Sequence, residues 1–127
     1  MKNLHLDVLI IGAGPIGIAC ALEIKKQNLN YVVLEKGALT NSLFNYPLNM
    51  TFFSTSEKLE IDNIPFISNN PKPTRNEALE YYRRVTTSNA LNINLYETVT
   101  DLNKTEHGFK IQSDKASYSA TNVIIAT

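Results

Sequence analysis

The residues best suited to chemistry in this sequence are glycines that directly follow an aliphatic run. Gly12, Gly14 and Gly17 have the spacing Gly-x-Gly-x-x-Gly and come after Val8-Leu9-Ile10-Ile11. A glycine turn from a strand into a helix lets a pyrophosphate approach backbone N–H groups at the helix N-terminus. We therefore predict a dinucleotide-binding turn. Gly12 would make the turn, Gly14 would allow the phosphates to approach closely, and Gly17 would allow the helix to pack.

The segments around these glycines must form a strand and a helix if the site is to exist. An apolar run such as residues 8–11 is typical of a buried parallel strand. A helix is predicted over Pro15 to Gln27, because apolar residues recur with a period of about 3.6 and proline suits the first helical position. Asn28 then provides a left-handed cap after two lysines.

A second apolar strand, Tyr31 to Leu34, ends on the carboxylate of Glu35. In dinucleotide-binding folds an acid at this strand end accepts hydrogen bonds from the adenosine ribose. A glycine motif alone is weak, and a purely structural glycine turn is the alternative interpretation. The complete order of strand, glycine turn, helix, strand and acid favours the dinucleotide site.

Composition places the chain among ordinary globular domains. Its 127 residues with 43% hydrophobic content are enough for one domain with a core. Twelve basic residues balance twelve acidic ones, so no basic field favours nucleic acid or an anionic membrane. No apolar run approaches the roughly 18 residues of a membrane span. One cysteine cannot form an internal disulfide, and we predict a cytoplasmic protein.

The other reactive side chains form no catalytic or metal-binding pattern. His5 and His107 are isolated in the sequence from any pairing of an acid with a nucleophile. No metal-ligand spacing is present in the sequence. We therefore predict no metal site and assign no catalytic residue.

The middle of the chain is irregular up to a predicted helix start at Thr74. Residues 51–56 place two aromatic rings in a hydroxyl-rich stretch, which either walls a flat ligand or forms a short core strand with a polar end. Thr74 and Glu77 form a capping box ahead of an amphipathic helix. Arg83 and Arg84 lie off its apolar stripe and are predicted to be solvated.

Short strands are predicted in the second half of the chain over residues 92–95, 98–102, 109–112, 117–119 and 122–126. They predict a small antiparallel meander laid against a parallel sheet. The fold class is therefore α/β, a Rossmann-like dinucleotide-binding domain. A fully buried strand rarely ends a natural protein, so we predict that the sequence is a truncated fragment of a longer chain.

The sequence resembles the FAD-binding half of flavoproteins that have two dinucleotide-binding domains. The resemblance rests on the glycine turn with Glu35 and on Val-Ile-Ile-Ala-Thr at 123–127, because in that group an apolar strand ends in Ala-Thr-Gly. More narrowly, Asn45-Tyr46-Pro47, Thr51 to Ile67 and Lys72 to Val85 resemble the YpdA-type bacillithiol-disulfide reductases. These are FAD- and NAD(P)-dependent enzymes of the pyridine nucleotide-disulfide oxidoreductase type. The resemblance covers essentially the whole chain.

The resemblance implies an FAD enzyme that uses NADPH to reduce bacillithiol disulfide, or a related small disulfide, in the cytoplasm. It implies that residues 1–127 form the FAD-binding domain and that an NADPH domain, expected after Thr127, is missing from the chain. A homo-oligomer is left open. The cofactor-binding residues implied position by position are Gly12, Gly14, Pro15, Ile16, Gly17, Glu35, Lys36, Tyr46, Asn49, Thr51, Phe52, Val99, Ala126 and Thr127.

The same resemblance implies a role for each part of this set. The glycines would hold the FAD pyrophosphate, and Glu35, flanked by Lys36, would bind the adenosine ribose. The region 45–53 would lie near the isoalloxazine ring. Val99 would meet the adenine through its backbone.

One position departs from the family pattern. Many members carry a cysteine between the proline and the third glycine of the turn, proposed as the thiol that engages bacillithiol, and this chain has Ile16 there. Cys20, one helical turn further on, is predicted to be a small core residue.

The alternative functions are a flavin-dependent monooxygenase-like enzyme, another thioredoxin-reductase-like enzyme, and a non-catalytic dinucleotide-binding module. The sequence has no Cys-x-x-Cys pair for a dithiol relay.

Overall fold

The computed structural model describes residues 5–127, which form a mixed six-stranded sheet in the order β3-β2-β1-β6-β5-β4. The strands are β1 (His5–Ile11), β2 (Tyr31–Leu34), β3 (Ile93–Asn94), β4 (Val99–Thr105), β5 (Gly108–Ser113) and β6 (Ser117–Ile125). The helices are α1 (Pro15–Lys26), α2 (Asn41–Phe44), α3 (Ser56–Leu59) and α4 (Arg75–Ser88). The predicted α/β class with a Rossmann-like sheet is confirmed.

The parallel half of the sheet is built as the sequence predicts. β1 pairs in parallel with β2 and with β6, and β2 pairs in parallel with β3. Helix α1 makes the crossover from β1 to β2. It ends one residue earlier than predicted, with Gln27 as its C-cap, and Asn28 follows in the predicted left-handed conformation with φ of 58°.

The antiparallel half is a meander of β4, β5 and the first part of β6. The segments predicted separately at 117–119 and 122–126 form the single strand β6. This strand is continuous because Ser117 to Ala120 pairs with β5 on one edge, while residues 119–125 pair with β1 on the other. One strand therefore joins the two halves of the sheet.

Apolar side chains cover both faces of the parallel strands. On one face α1 packs against Val8 and Ile10 of β1. Because side chains alternate along a strand, Leu9 points to the other face, where it shares a buried cluster with Ile111 and Ala120 of the meander. The meander is therefore laid against the parallel sheet, as predicted.

Helix α4 packs on the outer side of α1 and carries the predicted capping box. Its buried side includes Tyr81, which is fully buried, whereas Leu79 is only half-buried. The Tyr81 ring stacks on Phe66 at 4.4 Å, and its hydroxyl donates to the Ile64 carbonyl at 2.7 Å. These contacts hold the proline-containing segment before α4, which includes Ile64 and Phe66, against the helix. Arg83 and Arg84 are exposed, as predicted.

The hydroxyl-rich stretch 51–56 does not form the short core strand that was one of its two interpretations. Thr51 makes only an isolated bridge to Thr74, and α3 begins at Ser56. Phe52 is half-buried against the cluster around α4, whereas Phe53 is 95% exposed. The other interpretation, a wall for a flat ligand, stays a prediction.

Removing the Thr74 hydroxyl is expected to weaken α4. Thr74 Oγ1 accepts a hydrogen bond from the Glu77 N–H at 3.2 Å, and the Glu77 carboxylate accepts one from the Thr74 N–H at 2.9 Å. We expect Thr74→Ala to lower the free energy of unfolding in urea by about 1 kcal/mol, the usual cost of losing such a cap. Thr87→Ala is the control, because this exposed hydroxyl bonds only back to Arg83 O. An equal loss in both variants would contradict the capping role.

Candidate dinucleotide-binding site

A cleft of about 470 Å³ opens where β1, β2 and β6 end. Its walls are the glycine turn after β1, the turn after β2, the beginning of α2, the segment entering β4 and the end of β6. In open α/β sheets, ligands bind outside the carboxyl ends of the parallel strands. The cleft therefore lies where such a fold places its ligand.

Two glycines allow the turn, α1 and the end of β6 to pack closely. Gly12 has φ of +109°, and a Cβ on it would lie 2.6 Å from the carbonyl oxygen of Ala126. A Cβ on Gly17 would lie 2.0 Å from the carbonyl oxygen of Gly12. Both distances are shorter than any van der Waals contact, so neither position accepts a side chain without movement of the backbone. The positive φ of Gly12 fits its predicted role in making the turn, and the close approach at Gly17 fits its predicted role in helix packing.

Gly14 differs from the other two glycines because its missing side chain leaves open space. A Cβ built there would meet no atom within 4 Å. Gly14 is the N-cap of α1, and this helix end has no side-chain cap and no acidic residue in its first turn. Free N–H groups and the positive end of the helix dipole are what a phosphate requires. The turn therefore fits the pyrophosphate of a dinucleotide.

The Glu35 carboxylate braces two turns that border the cleft. Glu35 is buried, and its oxygens accept hydrogen bonds from the N–H of Ala13 at 2.8 Å and of Gly37 at 2.7 Å. A carboxylate has about four acceptor positions, so lone pairs remain for donors such as ribose hydroxyls. This bracing was not predicted, and it adds a structural role to the predicted binding role.

The structure brings most of the predicted site residues to this cleft. Those that line it are Gly12, Gly14, Pro15, Ile16, Glu35, Lys36, Val99, Ala126 and Thr127. Gly17 packs behind the turn. The cofactor role of all these residues stays a prediction, but their placement around one cleft supports it.

The residues predicted near the isoalloxazine lie outside the lining of the cleft. Tyr46, Asn49, Thr51 and Phe52 belong to the segment that follows α2. The rings of Tyr46 and Phe52 form a tilted pair with their centroids 6.3 Å apart. Their assignment to the flavin ring therefore stays a prediction that the shape of the cleft does not support.

Sequence reasoning missed the wall formed by the beginning of α2, which consists of Thr40, Asn41 and Ser42. Thr40 is buried with φ of 48°, and its N–H donates to the carbonyl of Ala13 in the glycine turn at 2.9 Å. A run of Thr, Asn and Ser is typical of a helix N-terminus. That signal was present in the sequence and could have located this wall.

A second buried carboxylate, Glu97, was also missed. It lies in the wall that leads into β4 and is 4% exposed. One of its oxygens accepts hydrogen bonds from the hydroxyls of Ser113 and Tyr118, each at 2.6 Å. Burial, with a smaller effect of the Glu97 charge, raises the pKa of Tyr118 to about 12. Tyr118 therefore remains a hydrogen-bond donor at neutral pH.

Neither a metal site nor a membrane-spanning helix is found in the described part of the chain. Residues 5–127 contain no group of three or more His, Cys, Asp or Glu side chains placed to hold a metal ion. None of the helices within that range is long and apolar enough to cross a membrane. The ion pair between Arg84 and Glu80 lies on the exposed side of α4, away from the cleft.

The fold and the position of the cleft are those expected of a dinucleotide-binding domain. Residues 9–127 match the family described as pyridine nucleotide-disulphide oxidoreductase, and the chain belongs to that family. The members of this family are enzymes. The predicted membership in this class of flavoproteins is therefore confirmed.

Within this class the chain is similar to bacillithiol disulfide reductases. Bacilliredoxin reductase Bdr of Bacillus subtilis (strain 168) is 43% identical over 120 residues, which are 94% of this chain and 37% of that protein. Structures of bacillithiol disulfide reductase Bdr (YpdA) from Staphylococcus aureus and Bacillus cereus are each 40% identical, with TM-scores of 0.93 and 0.94. They match 97% and 98% of this chain and 38% and 40% of their own chains. The chain thus spans little more than a third of these relatives.

Gly14→Ala is expected to weaken dinucleotide binding without disturbing the fold. The new methyl group meets open space in the cleft, where the phosphates are predicted to lie. We expect FAD affinity, measured by flavin fluorescence, to fall by about tenfold or more. This corresponds to a loss of at least about 1.4 kcal/mol of binding free energy. The melting temperature without FAD should stay unchanged.

Gly17→Ala is the matched comparison, because its methyl group would lie 2.0 Å from the Gly12 carbonyl oxygen. This variant should lower the melting temperature without FAD. Wild-type FAD affinity in Gly14→Ala would show that the dinucleotide binds elsewhere.

Proposed function

We propose that this chain is the FAD-binding part of an NADPH-dependent oxidoreductase that reduces bacillithiol disulfide or a related small disulfide. The observation that carries the proposal is the cleft, in which an uncapped helix N-terminus at Gly14 faces the same space as the buried carboxylate of Glu35. The likeness to reductases named for bacillithiol disulfide supports that disulfide, or a related small disulfide, as the electron acceptor.

The residues of the cleft fit the pyrophosphate and the adenosine of FAD. The pyrophosphate would bind the free N–H groups beside Gly14, and the adenosine ribose would donate hydrogen bonds to Glu35. The adenine would meet the backbone of Val99. When bound, FAD supplies the two-electron chemistry, and the protein supplies binding, orientation and electrostatic tuning.

The overall reaction in this proposal is balanced with one reductant and one acceptor. NADPH and a proton reduce one disulfide, its S–S bond breaks, and two thiols and NADP⁺ form. We propose that NADPH binds in a domain outside the FAD-binding domain of residues 1–127. The reaction belongs in the cytoplasm, where low-molecular-weight thiols are kept reduced.

The side chain at position 16 decides whether the cleft itself contains a thiol that could react with a disulfide, and in this chain it is Ile16. Its side chain lines the cleft at the first turn of α1 and is 67% exposed, and isoleucine has no sulfur. Cys20, the only cysteine of the sequence, is partly buried and packs against the core cluster between α1 and the sheet. Thiol exchange at residue 16 is therefore excluded. This observation favours a second candidate, a flavin-dependent monooxygenase-like enzyme, which needs no thiol.

The two candidates differ in what consumes NADPH. The complete protein containing this chain should be purified with bound yellow FAD, and NADPH oxidation should be followed with bacillithiol disulfide, while an oxygen electrode records oxygen uptake. We expect disulfide-dependent NADPH oxidation without matching oxygen uptake. Oxygen uptake with peroxide release and no disulfide turnover would favour the second candidate. A complete protein that binds no FAD would reject both.

Ile16→Cys is expected to raise disulfide turnover. A cysteine there would lie at the N-terminus of α1, where the helix dipole lowers a thiol pKa and increases the thiolate available for exchange. We expect about a tenfold gain in the rate with bacillithiol disulfide and an unchanged FAD affinity. Ile16→Val is the control without sulfur. An equal rate in both variants would show that the disulfide does not reach residue 16.

A further inference from the structure

Glu97 is a buried carboxylate whose partners are all neutral. One oxygen accepts from Ser113 Oγ and Tyr118 OH at 2.6 Å, and the other accepts from the Asn94 side-chain amide at 3.3 Å. None of the ion pairs among residues 5–127 includes Glu97. Because an unsatisfied buried charge is expensive, these donors hold the side chain in one place.

The backbone next to Glu97 is fixed as well. The Glu97 N–H donates to the carbonyl of Glu35 at 2.9 Å. Thr98 is tied through both backbone groups to Asp114, with its N–H donating to the side chain at 3.0 Å and its carbonyl accepting from the Asp114 N–H at 2.9 Å. The segment 97–98 is therefore held from β2 on one side and from the turn after β5 on the other.

Val99 directly follows this fixed segment and lines the cleft. The pairing of β4 with β5 shifts register between Val99 and Asp101. Such a bulge interrupts the regular hydrogen-bond ladder and is common beside binding sites. The position of the Val99 backbone is thus set by Glu97 and Thr98 rather than by a regular strand.

We propose that Glu97, held by Ser113 and Tyr118, is the positioning residue that gives the cleft its selectivity for adenine. This inference rests on the proposed function, in which the Val99 backbone meets the base. Adenine presents an amino donor beside a ring acceptor, whereas hypoxanthine presents a carbonyl acceptor beside an N–H donor. A backbone held in one position satisfies one of these edges and leaves the other unpaired, which discriminates strongly.

The test compares two tyrosine hydroxyls in the complete protein. Tyr118→Phe removes a donor from Glu97. Tyr82→Phe is the matched control, because the Tyr82 hydroxyl is also buried, donates to the Leu59 carbonyl at 2.9 Å and has a pKa raised to about 12 by burial. The Tyr82 hydroxyl lies in the α4 cluster, outside the cleft. ADP, IDP and inorganic pyrophosphate are used as probes of the complete protein after its FAD has been removed, with dissociation constants measured by calorimetry.

We expect Tyr118→Phe to weaken ADP binding by about tenfold, because the Val99 backbone would lose its fixed position and with it the hydrogen bonds to the base. The preference for ADP over IDP should fall towards one, and pyrophosphate affinity should not change. Tyr82→Phe should lower the melting temperature and leave the ADP-to-IDP ratio at the wild-type value. Ser113→Ala removes the second donor to Glu97 and also the acceptor of the Lys115 and Ala116 N–H groups. It should reproduce the lost preference even where Tyr118→Phe folds poorly.

Two other outcomes separate the failure of this inference from the failure of the proposed function. A wild-type ADP-to-IDP ratio in Ser113→Ala and Tyr118→Phe would overturn the role of Glu97 while FAD binding stands. A complete wild-type protein that binds neither FAD nor ADP would overturn both.

Discussion

The close approach of three backbone segments at the glycine turn is the constraint on which this fold depends. A Cβ on Gly17 would overlap the carbonyl oxygen of Gly12, and a Cβ on Gly12 would overlap the carbonyl oxygen of Ala126. The hydrogen bond from the Ala126 N–H to the Ile11 carbonyl at 2.8 Å closes the same junction. Because side chains are excluded here, α1 starts directly against the sheet and its free N–H groups face the cleft. The first and last parts of the chain thus build one binding surface.

The cleft has an electrostatic direction that follows from this arrangement. Its positive end is the uncapped N-terminus of α1, and the buried carboxylates Glu35 and Glu97 lie in the walls formed after β2 and before β4. A phosphate group is favoured at the first end and repelled from the second, because buried charges are poorly screened. Uncharged hydrogen-bond donors, such as sugar hydroxyls, suit the carboxylate end. In the proposed binding mode, the direction of the dinucleotide is therefore set mainly by charge.

Local sequence patterns were sufficient for the β1-α1-β2 unit, the acid after β2 and the cap of α4. Each of these is a pattern within one continuous stretch of the chain. Glu97 could not be recognised in this way, because its burial depends on the hydroxyls of Ser113 and Tyr118, which come from other strands. Arg75 is similar: it is buried because its guanidinium donates to the distant Phe44 carbonyl at 2.6 Å. The periodicity of a sequence indicates which residues of one helix or strand are exposed. It does not reveal hydrogen-bond donors or acceptors that another helix or strand supplies.

The pairing of β1 with β6 has a consequence for how the chain folds. β1 is a central strand, yet the residues that cover its second edge come more than a hundred positions later, as the contact of His5 with Ser119 illustrates. Contacts of such large sequence separation close late and slow folding. During synthesis β1 therefore has an open, apolar edge until β6 emerges, and such an edge is prone to pair with other chains. This domain is therefore more exposed to pairing with other chains while it is being synthesised than after it has folded.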